Sequence, residues 1–354
     1  MRGGEKVLTQ IARLFPAAPI FTLFHFQGSV SHEIESHPIT ASYLQDYPGV
    51  RTNYRRWLPA FPAAIEDFDL TAYDLVISSS HCVAKGALPR PGAFHLCYCH
   101  TPMRYAWDQE HAYFPRRTGL VARVRSFILS RLRNWDVASS GRVDLFVANS
   151  NFVAKRIERY YQRQSEVLHP PVDTDHFTPA AKPRERFCLM VSALSPYKRI
   201  DLAIAACEMA NVELRIVGSG PEKARLSELA GPRTRWLGQV DQSTLEDLYQ
   251  RAHCFLQPGI EDFGISTVEA LACGCPVVAL GQGGVLDIVD DGVHGVLFPS
   301  GDSPEAVAAA IDKSLTIRFN EMNLRRRAED FSTAKFETGF RELITQQLDG
   351  WRLT

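Results

Sequence analysis

The chain has 354 residues, a formal net charge of -1, 45% hydrophobic residues and 22% charged residues. These values suit a globular protein of about two domains, and the near-zero charge gives no reason to expect nucleic acid as a partner. No run of about 18 apolar residues occurs, so no membrane-spanning helix is expected; the 8 cysteines lack CxxC pairing and read as reduced, buried thiols of a cytoplasmic protein.

In chain order, Gly3-Gly4 reads as a glycine turn opening a helix from Glu5 to about Phe15. A turn of this kind usually follows a strand. None precedes it, which reads as a chain that starts one strand late. Strands are expected at Pro19–Phe26, Asp74–Ser80, Phe94–His100 and Val143–Ser150, followed by a helix from about Phe152 to Tyr161. The strands are short, nearly all apolar and alternate with helices, the pattern of a parallel sheet covered on both faces. Residues 170–186 hold four prolines and no buried periodicity, which marks a linker. A second alternation follows, with strands near Phe187–Val191, Glu213–Val217, Thr234–Leu237, Cys254–Gln257, Pro276–Ala279 and Gly295–Phe298, and helices from about Glu305 to Leu348.

The pattern predicts an α/β protein of two Rossmann-like domains facing each other across a cleft. The first covers residues 1–169 without its first strand. A linker at 170–186 leads to a second domain at 187–320. The last helices, 321–354, are expected to pack back on the first domain. Ligands belong at the C-terminal strand ends, where helix N-termini also point.

The densest constellation runs from Glu261 through Asp262, Phe263, Gly264 and Ile265 to Glu269. A helix starting near Ile265 puts Gly264 at its N-terminus, where free amides favour a diphosphate. Glu261 and Glu269 are poor phosphate ligands but good acceptors for sugar hydroxyls. This segment resembles the E-x7-E signature of retaining glycosyltransferases of family 4, which have the GT-B fold. By that resemblance Glu261 contacts the donor sugar, Glu269 the ribose, and Phe263, Gly264 and Ile265 line the donor site. The tract Ser192–Asp201, with Lys198 and Arg199, is similar to the family's phosphate-binding segment; so is Val217–Glu222, with Gly218 and Gly220. Pro276–Ala279 and Gly283–Val289 follow in family order. A lysine ammonium beside a leaving nucleoside diphosphate stabilises its developing charge, which suits Lys198. The pattern departs at Ala193, where many relatives carry an arginine; Arg199 or backbone amides are the candidate replacements.

In the first half, His100 opens His100-Thr101-Pro102-Met103-Arg104-Tyr105-Ala106-Trp107-Asp108 at a strand end. The resemblance gives His100 a catalytic place near the donor sugar and acceptor hydroxyl, and makes Tyr105 and Trp107 candidates for stacking on sugars. Gly3 and Gly4 match the family's first glycine loop at the donor. The triplets Asp67-Phe68-Asp69 and Asp173-Thr174-Asp175 read as chance, and no metal is expected. Leu120–Trp135 is a basic amphipathic helix; from Arg104 to Trp135 seven arginines stand against Asp108 and Glu110. Such a stretch either packs with a basic outer face or lies on an anionic membrane.

The resemblance thus implies transfer of a hexose from a nucleotide sugar to a saccharide or polyprenyl-linked acceptor, in the cytoplasm or at the membrane's inner face. The tracts Pro196–Asp201 and His100–Asp108 look most like mannosyltransferases of bacterial surface-polysaccharide assembly, with GDP-mannose as donor. A sugar-nucleotide epimerase of the same fold and a non-catalytic sugar-nucleotide-binding module are the alternatives.

Overall fold

The computed structural model describes residues 3–104, 106–108, 118–299 and 303–351. The chain forms two compact units, Met1–Pro170 with Phe336–Thr354, and Pro171–Lys335. No helix among the described residues is long and apolar enough to cross a membrane.

The first unit opens with α1 (Gly3–Leu14), then β1 (Ile20–Thr22), β2 (Ile39–Ala41), β3 (Leu75–Ser80), β4 (Phe94–Cys99), α2 (Leu120–Ser140), β5 (Leu145–Ala148), α3 (Asn151–Tyr161) and β6 (Glu166–Val167). Its strands pair in parallel as two sheets, β1-β2 and β3-β4-β5-β6. Because side chains alternate across a strand, β4 serves two cores. Phe94, Leu96 and Tyr98 pack with Val7 and Ile11 of α1 and with Phe336 and Phe340. Cys97 and Cys99 pack with Val153, Ile157 and Tyr161 of α3. Two details differ from the sequence-based expectation. Gly3 and Gly4 lie in the first turn of α1, not in a turn before it, and β2 is a strand of three residues that the polar surroundings of Ile39 conceal.

The second unit comprises β7 (Glu185–Val191), α4 (Ile200–Met209), β8 (Glu213–Val217), α5 (Lys223–Leu229), β9 (Thr234–Gly238), α6 (Gln242–Arg251), β10 (Ala252–Gln257), α7 (Ile265–Ala272), β11 (Val277–Leu280), β12 (Gly295–Phe298), α8 (Pro304–Thr316) and α9 (Glu321–Glu329). Its six strands form one parallel sheet in the order β12-β11-β10-β7-β8-β9. Alternation again divides the core: Phe187, Leu189, Phe255, Val277 and Ala279 face α7 and α9, while Cys188, Met190, Cys254, Leu256 and Val278 face α4 and α8. Cys188 Sγ and Cys254 Sγ touch at 3.5 Å as free thiols within that second layer.

The unit boundaries depart from the expected ones in two places. The proline-rich segment 170–186 is not a loose linker. Val172 and Phe177 are fully buried in the second unit's core, the Val172 N–H donates to the Phe331 carbonyl at 2.9 Å, and Thr178 Oγ1 donates to Glu246 at 3.0 Å. At the other end, α9 belongs to the second unit, and the chain joins the first unit only from Phe336, within the C-terminal helix α10 (Thr333–Trp351).

Candidate active site

In the second unit, β7 leads outward to β8 and β9 on one side, whereas β10 leads to β11 and β12 on the other. The strand order therefore reverses between β7 and β10, and the loops leaving their C-terminal ends part in opposite directions. That divergence is where open α/β sheets bind ligands. The loop after β7 carries Lys198, and the loop after β10 carries Glu261.

Close backbone contacts hold these loops in place. A Cβ on Gly259 would lie 2.4 Å from the Tyr197 carbonyl oxygen and 2.8 Å from Lys198 Cα, so only glycine lets the two loops cross there. A Cβ on Gly283 would lie 2.5 Å from the Glu261 carbonyl oxygen, and one on Gly284 2.3 Å from that of Asp262. The Gly284 N–H donates to the Glu261 carbonyl at 2.9 Å, which pins the Glu261 loop from its far side. Gly218 and Gly220 act alike under the Lys198 loop: a Cβ on Gly218 would lie 1.9 Å from the Ser192 carbonyl oxygen, and one on Gly220 2.5 Å from that of Leu194. Their part here is to seat the loop after β8 on the loop after β7.

Lys198 Nζ forms an ion pair with Glu261 Oε1; the two side chains are 16% and 19% exposed. Gly264 caps α7 at φ 111, a left-handed conformation that favours glycine, and its carbonyl accepts from the Thr267 N–H at 2.9 Å. Ile265 is the first helical residue, half-buried against the core. Glu269 lies in the second turn, buried, with Oε2 accepting from the Tyr249 hydroxyl at 3.0 Å. Burial, and then the Glu269 charge, hold the Tyr249 phenol well above its ordinary value, so it stays a donor. Thr267 Oγ1 donates to Gln257 Oε1 beneath the same helix end.

Two predicted donor residues have partners of their own in the free protein. The Phe263 side chain is buried and packs edge-on against Phe331 with ring centroids 5.4 Å apart, so it is a core anchor. The Arg199 guanidinium meets Asp201 through Nη2 at 3.2 Å and Nε at 3.3 Å, across the start of α4. Ala193 is exposed beside this loop.

In the first unit, β4 delivers His100. Its Nε2 lies 2.8 Å from Ser79 Oγ at the end of β3, its carbonyl accepts from Asn149 Nδ2 at 3.0 Å, and its ring meets Tyr98 edge-on. A Cβ on Gly4 would lie 3.4 Å from His100 Nε2, so Gly4 and His100 adjoin, while Gly3 is exposed at the helix start. Burial, and then the neighbouring His81, push the His100 imidazole down to about 3. It is therefore neutral near pH 7, able to exchange hydrogen bonds but not to supply positive charge. Trp107 stacks on Tyr160 at 4.6 Å and donates to Asp136 at 2.8 Å, so its ring is held by packing. Tyr105 lies outside the described residues. The Asp triplets serve turns: Asp69 Oδ1 accepts from the Thr71 N–H at 3.0 Å and Asp173 Oδ1 from the His176 N–H at 3.1 Å. Among the described residues no group of three or more His, Cys, Asp or Glu is gathered as a metal site.

Sequence reasoning missed Gly259, Tyr249 and Ser79. Gly259 follows Pro258 just before the acidic motif, a position whose glycine could have been questioned. Tyr249 and Ser79 carry no linear signal, because each meets its partner about 20 residues along the chain.

Comparison with known proteins finds relatives of both halves of the chain. The family model described as Glycosyltransferase Family 4 matches residues 1–176, and that described as Glycosyl transferases group 1 matches residues 171–332. The chain is 30% identical over 291 residues to D-inositol 3-phosphate glycosyltransferase of Geodermatophilus obscurus, covering 66% of this chain and 64% of the relative. The match to the protein of that name from Mycolicibacterium smegmatis is 29% over 199 residues, 48% of this chain and 46% of the relative. The chain thus spans about half to two thirds of these relatives. Among solved structures, HepE of Anabaena in complex with UDP and glucose aligns with a TM-score of 0.71 at 18% identity, over 97% of this chain and 96% of that one. Sucrose-phosphate synthase of Thermosynechococcus elongatus aligns with a TM-score of 0.75 at 20% identity, over 97% of this chain and 92% of that one. With one glycosyltransferase model matched over each half and the fold shared along nearly its whole length, the chain belongs to the GT-B glycosyltransferases.

Proposed function

We propose that the protein is a retaining glycosyltransferase that moves a hexose, with mannose from GDP-mannose as first choice, to a saccharide or polyprenyl-linked saccharide. The observation that carries this reading is the Lys198–Glu261 pair beside the strand-order reversal, with the Gly264 end of α7 close along the chain. In the free protein the two charges neutralise each other. A nucleotide sugar answers both: its diphosphate takes Lys198 and the helix amides, and a sugar hydroxyl takes the Glu261 carboxylate. Glu269, oriented by Tyr249, accepts from the ribose.

In the transfer step the bond from the anomeric carbon to the phosphate oxygen breaks, and the acceptor oxygen bonds to that carbon on the same face. The acceptor's proton passes to a phosphate oxygen of the departing nucleoside diphosphate. Lys198 and the α7 amides stabilise that leaving charge, so the reading requires no metal cofactor. His100, being neutral, can act only as a hydrogen-bond partner and not as a cation, which suits the hydroxyl contact that the family resemblance implies for it. The nucleotide-sugar preference is supported by family resemblance; because HepE, a fold relative, is seen in complex with UDP and glucose, UDP-glucose is the first donor to test beside GDP-mannose.

The test incubates purified protein with each donor, with and without saccharide acceptors, and follows nucleoside diphosphate release and the product's anomeric configuration. Acceptor-dependent release with retention is expected, falling roughly 100- to 1000-fold in Lys198→Ala. Epimerised sugar formed without acceptor, or donor binding with no turnover, would overturn the reading.

A further inference from the structure

Helix α2 buries one side and leaves the other to solvent. Leu129, Leu132, Asp136 and Ser139 face the core. On the opposite side Leu120, Val124, Phe127 and Arg131 follow one another at spacings of four, three and four, which is a single helical stripe. Leu120 is 77% exposed, Val124 50% and Phe127 61%, with Val121 beside them at 62%. Arg123 and Arg131 are exposed on the same side, and the Arg131 guanidinium lies 5.1 Å from the Phe127 ring centre. The helix has one acidic residue, Asp136, which is buried and paired with Lys85 at 2.9 Å. Its outward face therefore carries apolar side chains and positive charge without any negative charge, over about 16 Å from Leu120 to Arg131.

We infer that this face of α2 docks on the surface of an anionic lipid bilayer. An apolar stripe bordered by arginines suits the boundary between acyl chains and headgroups: Phe127, Val124 and Leu120 enter the apolar layer, while Arg123 and Arg131 meet headgroup phosphates. Lys85 supports the orientation from inside. By neutralising Asp136, it removes the charge that would oppose an anionic surface. The inference deepens the lipid-linked acceptor reading, but its test needs neither donor nor acceptor, so each can fail alone.

The test is co-sedimentation of the full chain with vesicles of phosphatidylcholine alone and of phosphatidylcholine with phosphatidylglycerol. Binding is expected only with the anionic lipid and should weaken with added salt. Leu120→Ser, Val124→Ser and Phe127→Ser combined should weaken it at least about tenfold, and so should Arg123→Gln with Arg131→Gln. All five side chains are exposed, so melting temperatures should stay near wild type. Turnover on a soluble saccharide acceptor should also be unchanged. Equal binding to both vesicles, binding to neither, or full binding by the serine variant would overturn the inference. So would concentration-dependent self-association abolished by the serine variant, which would make the stripe an interface between copies.

Discussion

Gly259→Ala is the most revealing substitution, because it adds one methyl group against the Lys198 backbone and changes no charge. The new Cβ would sit 2.4 Å from the Tyr197 carbonyl oxygen, 2.8 Å from Lys198 Cα and 2.9 Å from the Lys198 carbonyl carbon. All three atoms are backbone, so no side chain can swing aside. Restoring ordinary contact of about 3.4 Å requires the Lys198 turn to move by about 1 Å relative to the Glu261 loop. Overpacking of this kind costs about 1–3 kcal/mol of stability, which a domain of this size survives. A misplacement of about 1 Å in a positioning element costs on the order of 100-fold in rate, or about 2.7 kcal/mol of transition-state stabilisation. The assay is kcat/KM for transfer, with Gly141→Ala as control because its Cβ would meet only the Ala138 carbonyl, at 3.5 Å. A folded Gly259→Ala protein with wild-type kcat/KM would refute the claim that the two loops must touch for catalysis.

Three further outcomes follow from the same structure. Tyr249→Phe removes the hydroxyl that Glu269 Oε2 accepts at 3.0 Å; with a buried carboxylate losing about 1–3 kcal/mol, donor KM should rise by about tenfold or more in steady-state assays. Lys85→Ala leaves the Asp136 carboxylate buried without its cation and should cost about 3–5 kcal/mol, seen as a lower urea midpoint. His95 is fully buried between Ser78 and the Arg142 carbonyl, and burial pushes its imidazole down to about 4. Only the unfolded chain takes up that proton between about pH 6.5 and 4, so stability should fall as pH drops through this window, by about 2 kcal/mol at pH 5. His95→Gln should flatten that part of a melting-temperature profile.

The second unit was legible because its central strands are buried on both faces and so read as unbroken apolar runs, Phe187–Val191 and Cys254–Gln257 among them. The 170–186 segment misled because its prolines signal a linker, while the anchors that bury it, Val172 and Phe177, are single residues without periodicity. Gly3-Gly4 misled differently: glycine commonly makes turns, yet here both fit the first turn of α1, with Gly4 against His100. At the site, Glu261, Gly264 and Glu269 were readable because one loop and one helix carry them. The partners that fix their geometry were not. The contacts of Gly259 with Tyr197 and Lys198, and of Tyr249 with Glu269, join separate stretches of chain and leave no mark on spacing. Phe263 and Arg199 show a related limit: both stand in the motifs, but their packing against Phe331 and pairing with Asp201 could not be read from spacing.

The central claim is that Lys198 and Glu261 together receive a nucleoside diphosphate sugar. Calorimetric titration of the wild-type chain and of Lys198→Ala with GDP, UDP and ADP, and with GDP-mannose and UDP-glucose, tests it most directly. Saturable binding of one nucleotide class is expected, weakened at least about tenfold in Lys198→Ala by loss of a charge-assisted contact to the diphosphate. Equal affinity in the two proteins, or no binding of any of these ligands, would contradict it.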